Sequence, residues 1–243
     1  MRLIEVKNYE EMSVRAARII AAQVTLRPDS VLGLATGSTP EGAYRYLSDW
    51  CESGQLDFQQ VRTVNLDEYI GLSGENVNSY RYFMEQHLFR HINIERKNTQ
   101  VPDGRAADIA EECRRYETII SAYGGIELQL LGLGHDGHIG FNEPADHFEM
   151  ETHAVRLAEQ TIQANSRLFD RESQVPREAI TMGIRAIMQA RRILLLVSGK
   201  DKAEILKRAL CGPVTPEVPA SILQMHGDLT VIADVEAMSA MNR

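Results

Sequence analysis

The chain has 243 residues, 44% of them hydrophobic, enough to bury the core of one large α/β domain or two small ones. A net charge of −8 and a pI near 5.4 argue against a general nucleic-acid binder, which would carry a basic face. Cys51, Cys113 and Cys211 are odd in number and form no CxxC pair. That excludes a disulfide framework and fits a reducing cytosol.

The elements are predicted in chain order. "RLIEV" opens as a short strand, without the basic and apolar regions of a secretory signal. Residues 9–25 place Met12, Ala16, Ile19, Ile20 and Val24 at helical spacing. "SVLGLAT" (30–36) is a buried strand, and "TPEGAYRYLSDWCES" after it is a helix with Pro40 near its start. "VRTVNL" (61–66) is the next strand, followed by helices over about 78–90 and 106–123 and a strand, "IELQLLGLG", at 126–134. Residues 144–180 are polar, irregular and poor in clear strands, as expected of a mobile cover over a site. A strand at 191–199, a helix at 201–210 and a strand at 229–235 complete the series.

Continuously apolar strands alternating with helices predict an α/β fold with a doubly wound, mostly parallel, Rossmann-like sheet. No repeat, low-complexity run or linker divides the chain, so residues 1–243 read as a single domain. No apolar run approaches the roughly 20 residues of a membrane span. The expectation is a cytoplasmic protein with neither membrane nor nucleic-acid partners.

The stretch Leu131–Ala145, "LGLGHDGHIGFNEPA", admits three chemistries. Gly132-x-Gly134-x-x-Gly137 follows a strand like a dinucleotide fingerprint, but no helical pattern follows to carry a pyrophosphate, so that reading fails. A metal site would use His135, Asp136, His138 and Glu143, yet His-x-x-His in a glycine-rich loop lacks an established ligand spacing. The expectation is therefore no metal in this loop. Proton transfer asks for less: His138, with Asp136 and Glu143 as carboxylate partners able to orient it and raise its pKa.

Four polar clusters follow predicted strands: "TGSTP", Asp67 with Glu68, "HDGH", and Lys200 with Lys202. Parallel strands would gather them on one rim, where ligands of open α/β sheets bind. Gly37, Ser38 and Thr39 offer backbone N–H groups at a helix start, suited to phosphate, and Lys202 could add a charge-assisted bond. Capping of the helix by Ser38 or Thr39 is the simpler alternative for that stretch. Together the clusters suggest a small phosphorylated metabolite undergoing proton transfer. Spacing alone does not choose between sugar, acid and lactone.

"ATGSTP", "NLDEYIGL", "SYRYFM", "LLGLGHDGHIGFNEPA", "SRLF", "SGKDKA" and "PASILQMH" resemble the glucosamine-6-phosphate deaminase (isomerising) family over essentially the whole chain. The resemblance implies conversion of glucosamine 6-phosphate and water to fructose 6-phosphate and ammonia, without cofactor. It implies that Asp67 is the enolisation base, and that His138 with Asp136 and Glu143 opens the sugar ring. Arg167 and Lys202 would hold the phosphate beside Gly37, Ser38 and Thr39, with Arg167 riding on the cover segment. Ionisation at neutral pH would require that Asp67 not be deeply desolvated without donors. The chain resembles the short form of the family, for which a monomer rather than an allosteric hexamer is expected. A 6-phosphogluconolactonase would carry "DGHTASLFP"-like residues where "IGFNEPA" stands. A non-catalytic sugar-phosphate sensor need not keep Asp67, Asp136, His138 and Glu143 together, and no DNA-binding segment precedes the first strand.

Overall fold

In the computed structural model, residues 1–166 and 175–241 are described. Ten strands among these residues, β1 (Arg2–Val6), β2 (Val31–Leu34), β3 (Arg62–Asn65), β4 (Asp67–Tyr69), β5 (Thr99–Gln100), β6 (Leu128–Leu131), β7 (His153–Arg156), β8 (Glu178–Thr181), β9 (Arg192–Val197) and β10 (Leu229–Asp234), make two sheets. Among the described residues seven α-helices accompany them: α1 (Tyr9–Leu26), α2 (Ser38–Glu52), α3 (Tyr80–His87), α4 (Ile109–Ala122), α5 (Glu159–Ser166), α6 (Ile184–Met188) and α7 (Ala203–Cys211).

The main sheet runs β1-β10-β9-β6-β2-β3-β5, every neighbouring pair parallel. Its central strands are apolar because helices cover both faces. One core layer joins Leu32, Leu34, Leu128 and Leu130 to Met12, Ala16, Ile20 and Val24 of α1 and Tyr44 and Leu47 of α2. The other packs Val64, Leu131, Leu195 and Val231 against Tyr116 and Ile120 of α4 and Leu206 and Leu210 of α7. Each such aliphatic side chain contributes roughly 1.5–3 kcal/mol on burial.

After β2 the chain adds strands in one direction, β3 then β5. From β6 it adds them in the other, β9 then β10, which comes to lie beside the N-terminal strand β1. The gap between β2 and β6 is thus a topological switch point, where the loops that leave neighbouring strands part and leave a crevice.

The segment 144–180 departs from expectation. It contains α5 and the strands β7 and β8; β8 pairs antiparallel with both β4 and β7, making a second sheet, β4-β8-β7. β7 alternates between half-buried and exposed positions, so it shows no continuous apolar run. Two-residue β5 and the five-residue α6 were likewise unpredicted. Predicted boundaries elsewhere overrun by a few residues: the 126–134 strand is Leu128–Leu131, and the 106–123 helix is Ile109–Ala122. Among the described residues no helix is long and apolar enough to cross a membrane.

Candidate active site

A cleft of about 470 Å³ opens at the switch point. The loop after β2 contributes Thr36 and Gly37, the start of α2 Ser38 and Thr39, and the first position of β4 Asp67. The loop after β6 contributes Gly134, His135 and His138, and the stretch after β9 contributes Ser198, Asp201 and Lys202. The four strand-end clusters therefore meet in one wall. Lys200 does not line it.

One end is built for an anion. Gly37, at φ +93°, turns the chain so that α2 starts at Ser38 with no side chain capping its amides. Unpaired N–H groups and the helix dipole there favour negative charge. Lys202 reaches over from the far loop, its Nζ 2.8 Å from the Leu133 carbonyl. His135, assigned above to a possible metal set, instead meets Asp201 (Nε2 to Oδ2, 2.7 Å), joining the loops that follow β6 and β9. Arg167 lies outside the described residues.

The other end carries the acid–base groups. His138 Nδ1 lies 2.7 Å from Asp136 Oδ1 and 3.5 Å from Glu143 Oε2, at angles off a straight hydrogen bond. Burial works against an imidazolium here, but the two carboxylates outweigh it and push His138 up to about 9. Burial also disfavours the Asp136 anion, yet the imidazole beside it holds that carboxyl well below the usual range. The ring lies flat on Gly134, where an added Cβ would sit 2.4 Å from its atoms, so the glycine makes room for the histidine. Asp136 and Glu143 stand behind the ring rather than in the cleft wall. Glu143 is fixed in turn by the Thr161 hydroxyl of α5, which donates to Oε1 at 2.7 Å.

Asp67 differs from expectation. It is 5% exposed; burial first, then the charge of Glu68, push it up to about 8, with His138 pulling the other way. Its neighbour has another job. Glu68 accepts from the backbone N–H groups of Tyr69, Tyr80 and Arg81, tying β4 to the start of α3. Strand alternation separates the two carboxyls, one toward the cleft and one into the packing.

Sequence reasoning from strand ends missed Tyr80, Thr161, Ser198 and Asp201 as cleft residues. Tyr80 packs against Tyr69 (4.8 Å between ring centres) and stacks on Phe141 (5.8 Å). Its signal in the sequence was the motif "SYRYFM", in which it directly follows Ser79, the cap of α3. Asp136, His138 and Glu143 offer ligand atoms within 4.8 Å of one another, close enough to hold a cation. The donors already have uses, however: Asp136 Oδ1 also accepts from the His138 backbone N–H at 3.0 Å.

A doubly wound parallel sheet with an anion cradle and an acid–base group facing each other across its switch point defines a Rossmann-like enzyme scaffold. The chain belongs to the family described as glucosamine-6-phosphate isomerases/6-phosphogluconolactonase, whose profile matches residues 7–232. It is 57% identical over 236 residues to a glucosamine-6-phosphate deaminase of Lachnoclostridium phytofermentans, covering 97% of this chain and 100% of the relative. With the same-named protein of Geobacillus sp. (strain WCH70) it shares 56% over 239 residues, 98% and 95% of the two chains. The structure of a monomeric glucosamine-6-phosphate deaminase superposes with a TM-score of 0.96 at 49% identity, over 99% of this chain and 100% of that one. A 6-phosphogluconolactonase from Trypanosoma brucei matches at 0.79 and 19% identity, over 98% and 97%, which shows a common fold alone.

Proposed function

We propose that the chain converts glucosamine 6-phosphate and water to fructose 6-phosphate and ammonia. The observation that carries this reading is the polarity of one cleft, with N–H donors and Lys202 at one end and Asp67 with the His138 group at the other. An amino-sugar phosphate is charged in the complementary sense, anionic at C6 and cationic at C2. The deaminase relatives at 56–57% identity support the same assignment.

In this reading the phosphate sits on the Gly37, Ser38 and Thr39 backbone with Lys202, and with Arg167 as the resemblance implies. Remote binding then orients the reacting carbons. His138, held as a cation by Asp136 and Glu143, gives a proton to the ring oxygen and recovers one from the C1 hydroxyl, opening the ring. The substrate's cationic amine, arriving beside Asp67, lowers that carboxyl's pKa and leaves it a base. Asp67 then takes the C2 proton and returns it to C1, while His138 gives its proton to O1 and regains one from the C2 ammonium. The resulting C2 iminium adds water and expels ammonia, which balances the reaction.

The segment at about 144–180 would act as the cover, its α5 coupled to the catalytic group through Thr161 and Glu143. The protein would work as a cytoplasmic monomer on a small sugar phosphate, without metal, cofactor, nucleic acid or membrane. The monomeric state of the structural neighbour supports the monomer. The test is a paired assay after treatment with a chelator. Equal release of ammonia and fructose 6-phosphate from glucosamine 6-phosphate is expected, with no acceleration of 6-phosphogluconolactone hydrolysis. Lactone hydrolysis alone, or activity lost with the chelated metal, would overturn the reading.

A further inference from the structure

We propose that Tyr9, which lies outside the cleft, is a positioning residue that aims the Thr39 amide at the substrate's phosphate. The inference rests on the phosphate assignment above. Tyr9 is the first residue of α1, and its ring lines a separate cavity of about 430 Å³ with Glu41, Arg45, Gln86, His87 and His91. Its hydroxyl donates to the Ser38 carbonyl at 2.8 Å and accepts from the Gly42 N–H at 2.9 Å. Those two groups are partners across the first turn of α2, so the phenol bridges the turn that opens the anion end of the cleft.

The Ser38 carbonyl and the Thr39 N–H belong to one peptide unit. A trans peptide is planar, with its C=O and N–H pointing in opposite directions. A donor that fixes the carbonyl on the α1 side therefore fixes the N–H on the opposite side. The same bond polarises the peptide and makes the N–H a better donor. Pro40 supplies no N–H, so the cradle depends on the few amides that remain in this turn.

Local packing is shaped for the bridge. At Gly42 an added Cβ would meet Ser13 Oγ at 2.3 Å and Tyr9 Cε1 at 3.1 Å, so only glycine lets α1 come close enough for the phenol to reach. The helices have other ties. Arg45 bonds Glu10 at 2.9 Å, and Tyr46 donates to the same carboxylate. Removing the hydroxyl alone therefore leaves the α1–α2 packing in place.

The test compares Tyr9→Phe with wild type by KM and kcat for glucosamine 6-phosphate and by calorimetric binding of inorganic phosphate. Phe keeps the ring and loses the bridge. KM and the phosphate Kd should both rise about fivefold, the effect of one hydrogen bond, with kcat within about twofold. Glu10→Gln, which weakens the neighbouring tie, should leave the phosphate Kd unchanged. An unchanged phosphate Kd in Tyr9→Phe would overturn the inference. So would equal weakening in Glu10→Gln, since general loosening of α1 would then account for both. Phosphate binding requires no turnover: a wild type that binds phosphate without releasing ammonia refutes the proposed reaction and still tests Tyr9.

Discussion

Replacing Asp67 by Asn should separate stability from catalysis in opposite directions. Burial and the charge of Glu68 raise Asp67 to about 8, against 3.8 for an ordinary aspartate. The unfolded chain releases this proton above about pH 4, while the folded protein keeps it until about 8, so wild-type stability falls as pH rises through that window. At about 1.4 kcal/mol for each pH unit the upper bound is roughly 5 kcal/mol near pH 7.5. Relaxation of the site and water in the cleft reduce the expected effect to about 2 kcal/mol. Asn keeps the shape and has no proton to hold. For a chain of this length Tm should rise by about 5 °C near pH 7.5 and hardly at all near pH 4.5. Thermal unfolding at both pH values reads this directly. Turnover, followed by ammonia release, should fall by about 10²–10⁴-fold, the usual weight of a general base, with phosphate binding within about twofold. A Tm gain of the same size at both pH values would refute the desolvation argument, and turnover above about a tenth of wild type would remove Asp67 from the role of base.

Three further outcomes are expected. Asp136→Asn removes the 2.7 Å partner of His138, so burial should bring the imidazole below about 9 and move the alkaline limb of the kcat profile to lower pH. Because the folded value exceeds the ordinary 6.5, this ion pair's stabilisation is full below 6.5 and lost as pH rises through about 9. The Tm deficit of Asp136→Asn should therefore be larger near pH 6 than near pH 9.5; an unmoved limb and a constant deficit would contradict the pairing. Gly134→Ala would put a methyl 2.4 Å from the His138 ring and displace it, so turnover should drop at least about tenfold while circular dichroism stays unchanged. Glucose 6-phosphate has no C2 amine to lower the pKa of Asp67, so only about a tenth of that carboxyl is ionised near pH 7, and the C2 hydrogen should exchange with deuterated solvent about tenfold more slowly than that of glucosamine 6-phosphate; comparable rates in NMR would refute activation by the amine.

The parallel sheet was legible because its strands, such as "LLLV" in β9, are apolar on both faces and cannot be mistaken for loops. The strand-end clusters were legible for the same reason, since topology alone brings parallel carboxyl ends to one rim. The second sheet was not. Strands β4, β7 and β8 are three or four residues long, and their pairing depends on contacts distant in sequence, such as Asp67 with Thr181. The doublet Asp67–Glu68 shows a related limit. Sequence gives two adjacent carboxyls, but only the alternation of β4 and the N-terminus of α3 send them to different tasks. Desolvation of Asp67 is a property of the closed fold and leaves no trace in "NLDEY". His135 illustrates the converse, a residue drawn into a plausible ligand pattern by spacing and withdrawn from it by a carboxylate 66 positions away.

The fold alone does not choose the reaction, since a lactonase shares it at a TM-score of 0.79. What can choose is the electrostatic state of the acid–base end. A carboxyl held at about 8 is a poor base near neutral pH, and on its own would count against Asp67. Next to a ligand that delivers a positive charge the same burial works in reverse, because the low dielectric that penalises a lone anion strengthens its attraction to a cation. A phosphate cradle admits any sugar phosphate, whereas a desolvated carboxyl rewards the one with an amine at C2. Discrimination then falls at the proton-transfer step rather than at binding. Substrate specificity should accordingly be read in kcat more than in KM.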